Sequence, residues 1–545
     1  MKKSQVAVGV IVALGAVWTG ASWYTGKQIE SRLDGDIQKL NTKLAGNNVA
    51  IQAKDFQRGI FSSDVRLIVS KTKKAETAGN PNEKNEKIEN IEKVVLKSHI
   101  KHGPFPTFSL FPKLLSVNSE LEQDAELKEL FDITGGKSLF NIDTTVGYSG
   151  DTSTNISLIP VEYTDKEDGS KLSFSGANIS ADITLANRKK IDGVAFGLDS
   201  NGLTITEKNG DVTKIAATKI DGKVKLDSNH LNEITLKVKG DEFKINLVNE
   251  KREMTLKGVN LNIDNTQKGQ FDSYPGEQSF TVDEISGKGM GPTEGNFLLS
   301  NFKLSSKTSE TKDTVSTGIT YEIGGIKINN LDLGSGKLAL NANNLDGKSV
   351  QDFLQAYSAA AESFIADKMT GLPTDTFSET IYSNLPILLK NNPQFSIAPL
   401  SWKNSKGESS VNFKISLQNI PEDLNTIKHL KTENKIRDLV KELSLDVKLS
   451  KPMLIEQIVK SDELSGKDKA QAEKMANMQV QFMAAQGAGF GIVNDTENAI
   501  GLNLNYAKDK VTLNGKESDL HQFLLDHHLT DSDNQQDNDA EPAAE

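Results

Sequence analysis

The sequence predicts a mainly β (α+β) protein: an N-terminal transmembrane helix, then a large antiparallel β meander forming a rolled sheet or sandwich, then a C-terminal α+β portion. Three observations predict it. Residues Val6 to Tyr24 carry no charge and are apolar or small at almost every position, about the 20 residues a helix needs to cross a bilayer. From Val94 to about Leu345, apolar residues alternate with Lys, Asp, Asn, Thr and Ser, the period of a half-buried strand. Convincing helical periodicity in the body begins only after that stretch.

The anchor comes first. Lys2 and Lys3 precede it unopposed, whereas Lys27 and Arg32 are interleaved with Glu30, Asp34 and Asp36, so positive charge is retained inside and the body is exported. Trp18, Trp23 and Tyr24 fall toward the outer end, where amphipathic rings settle at a headgroup boundary. A cleaved signal peptide uses the same ingredients, with Thr19-Gly20-Ala21 as its small residues, but the apolar run continues to spanning length. Ala16 and Gly20 at a four-residue spacing suit close approach of two such helices.

Composition bounds the body. The 545 residues are 36% hydrophobic with net charge −11, and that charge repels nucleic acid. With Cys 0 there is no disulfide, thiolate metal site or cysteine nucleophile. The sequence divides into a cytoplasmic stub and anchor (1–26), a stalk helix, first strand and charged loop (27–93), a β-rich domain (94–345), an α+β region (346–529) and an acidic tail (530–545).

After the anchor, Ile29, Leu33, Ile37 and Leu40 share one face of a stalk helix from Lys27 to about Asn47. Val65, Leu67 and Val69 alternate within a strand in Ile51 to Ser70, and Lys71 to Glu92 reads as a solvated loop. In the β-rich domain the runs Ile179/Ile183, Leu236/Val238, Phe243/Ile245, Leu261/Ile263 and Leu338/Leu340 alternate. Asn201-Gly202, Asn209-Gly210, Asp221-Gly222 and Gly240-Asp241 punctuate them as hairpin turns. The dry face of such a sheet must meet another sheet, curl upon itself, or hold an apolar ligand such as acyl chains. Leu236, Val238, Phe243, Ile245, Leu261 and Ile263 are the candidate apolar binding face.

Ser349 and Asp352 approximate a capping box, followed by a stripe through Val350, Phe353, Leu354, Tyr357, Ala361, Phe364, Ile365 and Met369 that predicts a helix buried against the sheet. A second helix spans Asp375 to Lys390, kinked at Pro386. Phe395 to Leu417 reads as a hairpin turning at Gly407. Polar helices over Glu422 to Glu442 and Lys467 to Gln486 flank a strand at Leu445 to Leu449. Strands Ala499 to Tyr506 and Lys510 to Asn514 precede a short helix from Asp519, and Thr530 to Glu545 reads as disordered.

The opening KKSQVAVGVIVALGAVWTGASWYTGKQIE, then FQRGIFSSD, HGPFP at His102 to Pro106, VGYSGD at Val146 to Asp151, LDLGSGKLAL at Leu331 to Leu340 and APLSWKNSKGES at Ala398 to Ser409 together resemble the YdgA-like family of Gram-negative envelope proteins. The resemblance covers nearly the whole chain. It implies an uncleaved inner-membrane anchor and a large periplasmic domain, and supplies no catalytic residues.

Enzyme motifs fail on spacing. Gly334-Ser335-Gly336-Lys337 lacks the Walker A glycine and hydroxyl and has no helix behind it, so it reads as a hairpin turn. VGYSGD lacks the nucleophile-elbow spacing, which leaves Ser149 a strand-end residue. His102 reads as a loop histidine with nothing to orient it, and Asp526-His527-His528 as surface residues, because adjacent helical side chains diverge by about 100°. Phe105, Phe108 and Phe111 read as core beneath a loop. The expected protein is therefore a non-catalytic scaffold without metal or cofactor. Its partners are the inner membrane and lipid or other envelope proteins, with a homo-oligomer possible. The alternatives are an internally filled assembly scaffold and an envelope hydrolase. An export-dependent phosphatase reporter fused after Asn47 should be active, and the purified chain should retain Met1 to Tyr24; a mature chain beginning at Ser22 would overturn the anchor.

Overall fold

A computed structural model describes the chain outside residues 1, 45–47, 75–87, 107–110, 189, 228–229, 266–268, 291–294, 330, 371–378, 380–382, 422, 424–425, 427–429 and 530–545; side chains at 2–18, 20, 43, 72–74, 88–92, 227, 230–231 and 361–370 are also left undescribed. The chain divides into two compact units, Met1–Asn249 and Glu250–Glu545.

The first unit opens with one unbroken helix, α1 (Lys2–Leu44), so the expected anchor and stalk are a single element. Among the residues described with side chains, no helix is long and apolar enough to cross a membrane. Val6 to Trp18, most of the expected span, lies outside them, as does Gly20 of the proposed close-approach pair. The outer half packs along the sheet: Ile29, Leu33 and Ile37 are half-buried, and the Asn41 amide both donates to and accepts from the Ile51 backbone at 2.8 Å.

Strands β1 (Val49–Arg58), β2 (Ser62–Lys74), β3 (Ile88–His102), β4 (Leu115–Leu121), β5 (Phe140–Val146) and β6 (Thr152–Leu158) follow, each antiparallel to the one before. The single strand expected in Ile51 to Ser70 is thus a hairpin, closed by Gly59 N–H to Ser62 C=O at 2.8 Å. Part of the expected Lys71 to Glu92 loop is ladder, since Lys71 pairs with Glu92 and Lys74 with Ile88. A short helix, α2 (Lys128–Ile133), bridges β4 and β5.

The remaining strands of this unit are long and creased. They are β7 (Val161–Thr164), β8 (Lys171–Phe174), β9 (Ala177–Ala186), β10 (Lys190–Ser200), β11 (Leu203–Thr206), β12 (Val212–Ile215), β13 (Thr218–Asp227) and β14 (His230–Leu247). Each pair β6/β7, β8/β9, β10/β11 and β12/β13 is one strand bent at the same level, and β14 runs through that level whole. Ser175 N–H to Gly202 C=O at 3.0 Å and Ala216 N–H to Glu242 C=O at 2.7 Å carry the ladder across the bend. Gly176 and Gly202 take φ of +90° and +127° there, a region glycine enters without steric cost. Asn201-Gly202 and Gly240-Asp241, expected as hairpin turns, mark this crease instead. Asn209-Gly210 does turn, between β11 and β12.

Asp221-Gly222, also expected as a turn, sits inside β13 for a different reason. Gly222 pairs with Phe196 on β10, and a Cβ at 222 would lie 2.2 Å from the Phe196 ring. Two more glycines share this role in the second unit: Gly287 opposite Phe297 and Gly336 opposite Trp402, where a Cβ would lie 2.3 and 2.5 Å from the ring. A strand glycine here marks close approach of another group, not a chain reversal.

The second unit repeats the plan. Strands β15 (Arg252–Asn265), β16 (Gly276–Lys288), β17 (Phe297–Glu310), β18 (Thr314–Ile328), β19 (Leu331–Asp346), β20 (Gln394–Asn404), β21 (Gly407–Leu417) and β22 (Val440–Ser450) pair in sequence order. Gly334 to Lys337, expected as a hairpin turn, lies within β19 at a register shift. Between β19 and β20 stands α3 (Gly347–Thr370). Its cap is Asp346, which accepts from the Ser349 amide and hydroxyl at 2.9 Å, one turn before the expected Ser349 cap. Val350 joins a core with Val315 and Leu345, with Leu354 packed against it, while Phe353 is half-buried and Phe364 lies outside the described side chains. Of the expected Asp375 to Lys390 helix, the described part is chiefly a 3-10 turn at Leu385–Leu389 containing Pro386.

Two helices, α4 (Thr432–Leu439) and α5 (Lys451–Leu464), flank β22. The expected Glu422 to Glu442 helix therefore gives way to strand at Val440, with much of its start outside the described residues, and α5 is an element the periodicity does not mark. Next come α6 (Lys469–Gly489), β23 (Asn494–Asp495), β24 (Ala499–Ala507), β25 (Lys510–Leu513), β26 (Lys516–Asp519) and α7 (Leu520–Asp526), with β24 paired to β22. The tail from Thr530 lies outside the described residues.

Gly222→Val should destabilise the protein by about 1–3 kcal/mol through overpacking. Adding Phe196→Ala should relieve part of that cost in thermal unfolding, and strictly additive effects would exclude the ring contact.

Candidate functional site

Directly opposed residues of an antiparallel pair share a face, so register alone lays out the second unit's surface. One apolar row runs from Leu261 on β15 through Phe280, Leu304, Tyr321 and Leu338 to Leu400 on β20, then on to Leu502 on β24. Nine strands at about 4.8 Å spacing make this row on the order of 40 Å long. Beside it Ile319, Leu340, Ile397 and Phe413, with Ala342 and Phe395, line a concavity of 300 Å³. All six are half-buried, and Tyr321 and Leu400 in the adjoining row are exposed. The start of α3 closes one end, where Leu354 and Phe395 both meet the Val315 core.

The other face is ionic. Lys257–Glu284, Lys307–Glu277 and Lys337–Glu322 pair across strands at 3.1, 2.7 and 3.0 Å, and the hydrogen bond from Lys307 holds the Glu277 carboxyl below its ordinary range. Exposed pairs like these add little stability. They do fix which side of the sheet meets water.

The six expected apolar residues do not form one face of one unit. Leu236, Val238, Phe243 and Ile245 lie on β14 of the first unit, whereas Leu261 and Ile263 lie on β15 of the second. All six are half-buried. Val238 continues a row through Ile220, Leu198, Ile179 and Ile156 to Ile142. Phe243 and Ile245 lie beyond the crease, opposite Ile215 and Thr213.

Among the described residues no set of three or more His, Asp or Glu is placed to hold a metal. Ser149 sits in the β5–β6 turn, donating to Asp151 at 2.7 Å, and the His527 ring meets Phe523 at 4.7 Å between centroids with a tilt of 52°.

His102 overturns expectation. It ends β3 and is 2% exposed. Its Nδ1 lies 2.7 Å from the Ser22 carbonyl and its Nε2 3.1 Å from Ser63 Oγ. A carbonyl only accepts, so Nδ1 carries the proton and Nε2 accepts from the Ser63 hydroxyl. Burial, with Arg58 nearby, lowers the imidazole pKa and keeps the ring neutral. Ser63 is 1% exposed, so this pair docks α1 and does not present a nucleophile. A Cβ at Gly26 would reach within 2.6 Å of the His102 ring, and one at Gly103 within 1.8 Å of Ser22 Oγ. Small residues on both sides permit that approach. Because the unfolded chain binds a proton near pH 6.5 and folded His102 only below that, the stability this histidine contributes is complete above about pH 6.5 and is lost as pH falls. His102→Gln should flatten that loss between pH 7.5 and 5.0 in unfolding midpoints. A variant tracking the parent would exclude the coupling.

The model of a bacterial protein of unknown function (DUF945) matches residues 1–231 and 206–521. Protein YdgA of Escherichia coli K12 is 30% identical over 96% of this chain and 96% of its own length. The uncharacterized protein YihF of the same organism is 24% identical over 95% and 97%, and an uncharacterized protein of Haemophilus influenzae is 28% identical over 34% and 49%. No solved structure matches the chain. With the family model covering nearly its whole length, the chain belongs to the DUF945 family of bacterial proteins of unknown function.

Proposed function

We propose that this protein is a non-catalytic binding scaffold of the cell envelope, anchored in the inner membrane by Val6 to Tyr24 with its body in the periplasm, and that its apolar sheet face accommodates acyl chains. The observation that carries the proposal is the half-exposed apolar face of the second unit, with its 300 Å³ concavity between Leu340 and Phe413. Backbone groups there are consumed by the ladder. What remains offers methylene contact with few directional groups, which suits an alkyl chain better than a nucleotide or peptide. The anchor rests on charge bias and the length of the uncharged run.

An assembly scaffold is the second reading, favoured by α6. Ala472, Ala476, Val480 and Ala484 bury one side of that helix, yet Met475, Met478, Phe482 and Met483 are exposed on the rest of it.

Mass spectrometry of organic extracts from detergent-purified protein should find stoichiometric acyl lipid. Leu340→Gln and Ile397→Gln should reduce it several-fold while leaving most of the stability, since half-buried sites cost less than core sites, and Lys337→Gln on the ionic face should not. Lipid absent from the parent, or unchanged in both apolar variants, would sink the acyl-chain reading.

A further inference from the structure

The docking of α1 gathers exposed apolar residues from three separate segments. His102 N–H bonds the Phe61 carbonyl at 3.0 Å, and Lys113 N–H bonds the Pro104 carbonyl at 3.1 Å, which ties the β1–β2 turn and the loop after β3 to the point where Ser22 is buried. Around it Trp23 and Tyr24 on α1, Ile60 and Phe61 in the turn, and Phe105 in the loop are all exposed. Phe61, Phe105 and Pro106 line one 450 Å³ concavity with Lys101. Arg58 and Lys27 each lie 5.5 Å from the centroid of the Trp23 ring. Phe105, expected in a core, is on the surface, as is Phe111 at 76% exposure.

From these contacts we infer that Ile60, Phe61 and Phe105, with Trp23 and Tyr24, form a collar that inserts into the lipid headgroup boundary around the anchor; this rests on the anchor proposed above. Length is the argument for lipid as occupant. Ser22 is fully buried against His102 and Gly103, so the part of the proposed anchor that precedes this docking point ends at Ala21. From Val6 that is about 16 residues, roughly 24 Å, short of a hydrocarbon core of about 30 Å. A short span is met by drawing flanking apolar and aromatic groups into the interface. The collar supplies them, and Lys27 and Lys101 supply cations for anionic headgroups, Arg58 being paired with Glu30 at 2.8 Å.

The chain has no cysteine, so single introduced thiols can be labelled uniquely. Ile60→Cys, Phe105→Cys, Val12→Cys and Asn209→Cys would each be prepared in the full chain, labelled with an environment-sensitive fluorophore and reconstituted into vesicles of phosphatidylethanolamine and phosphatidylglycerol. Brominated acyl chains should quench positions 60 and 105 at least twofold more than the exposed turn position 209. Quenching at 12 but not at 60 or 105 overturns the collar and leaves the anchor standing. Absence of quenching at 12 overturns the anchor itself, and with it the collar that rests on it.

Discussion

The ladder between chain neighbours is the interaction on which the rest depends. In each unit nearly every strand, counting each creased pair as one, takes its partners from the strands just before and after it, and fully buried apolar residues are few beside the half-buried ones. Backbone hydrogen bonds and same-face side-chain pairs therefore hold a sheet that in most proteins a second layer would stabilise. Local cores appear where a helix meets the sheet, as at Val315 with Val350 and at Tyr506 with Leu520 and Leu524.

Much of this was legible in the sequence. Period-two alternation located the strands because a sheet wet on one side cannot hide its polar face, and the helical stripe at Val350 to Leu354 located α3. What misled was glycine. Gly202, Gly222 and Gly334 sit beside Asn, Asp or Ser as turn glycines do, yet one serves a crease, one an aromatic ring opposite and one a register shift. A dipeptide records that backbone freedom or space is needed and not which of these uses it serves. The helix α5 has no clear marker because Ser450 before it ends a strand and makes no side-chain capping bond, and Pro452 at its start reads equally well as a breaker.

The candidate site was legible as a kind of surface and not as a place. Alternation identified Leu236 and Leu261 as face residues, but the richer concavity at Leu340, Ile397 and Phe413 depends on pairing between strands that are interrupted by α3. The role of His102 has no local marker, because its partners, Ser22 and Ser63, are far from it in sequence. Conversely, the exposure of Phe105 has no marker in HGPFP, since proline-flanked phenylalanines serve cores and surfaces alike.

A meander has a consequence for how the chain is made. Each strand of β16 to β18 closes its ladder with the strand preceding it, so a polypeptide emerging N-terminus first never waits for a distant segment before one of these strands can pair. Loop-closure entropy stays small at every step. The reactive edge is always the youngest strand, and it is covered by the next residues to arrive. For a large β protein without disulfides, such vectorial growth shortens the time during which open sheet edges are available to other chains.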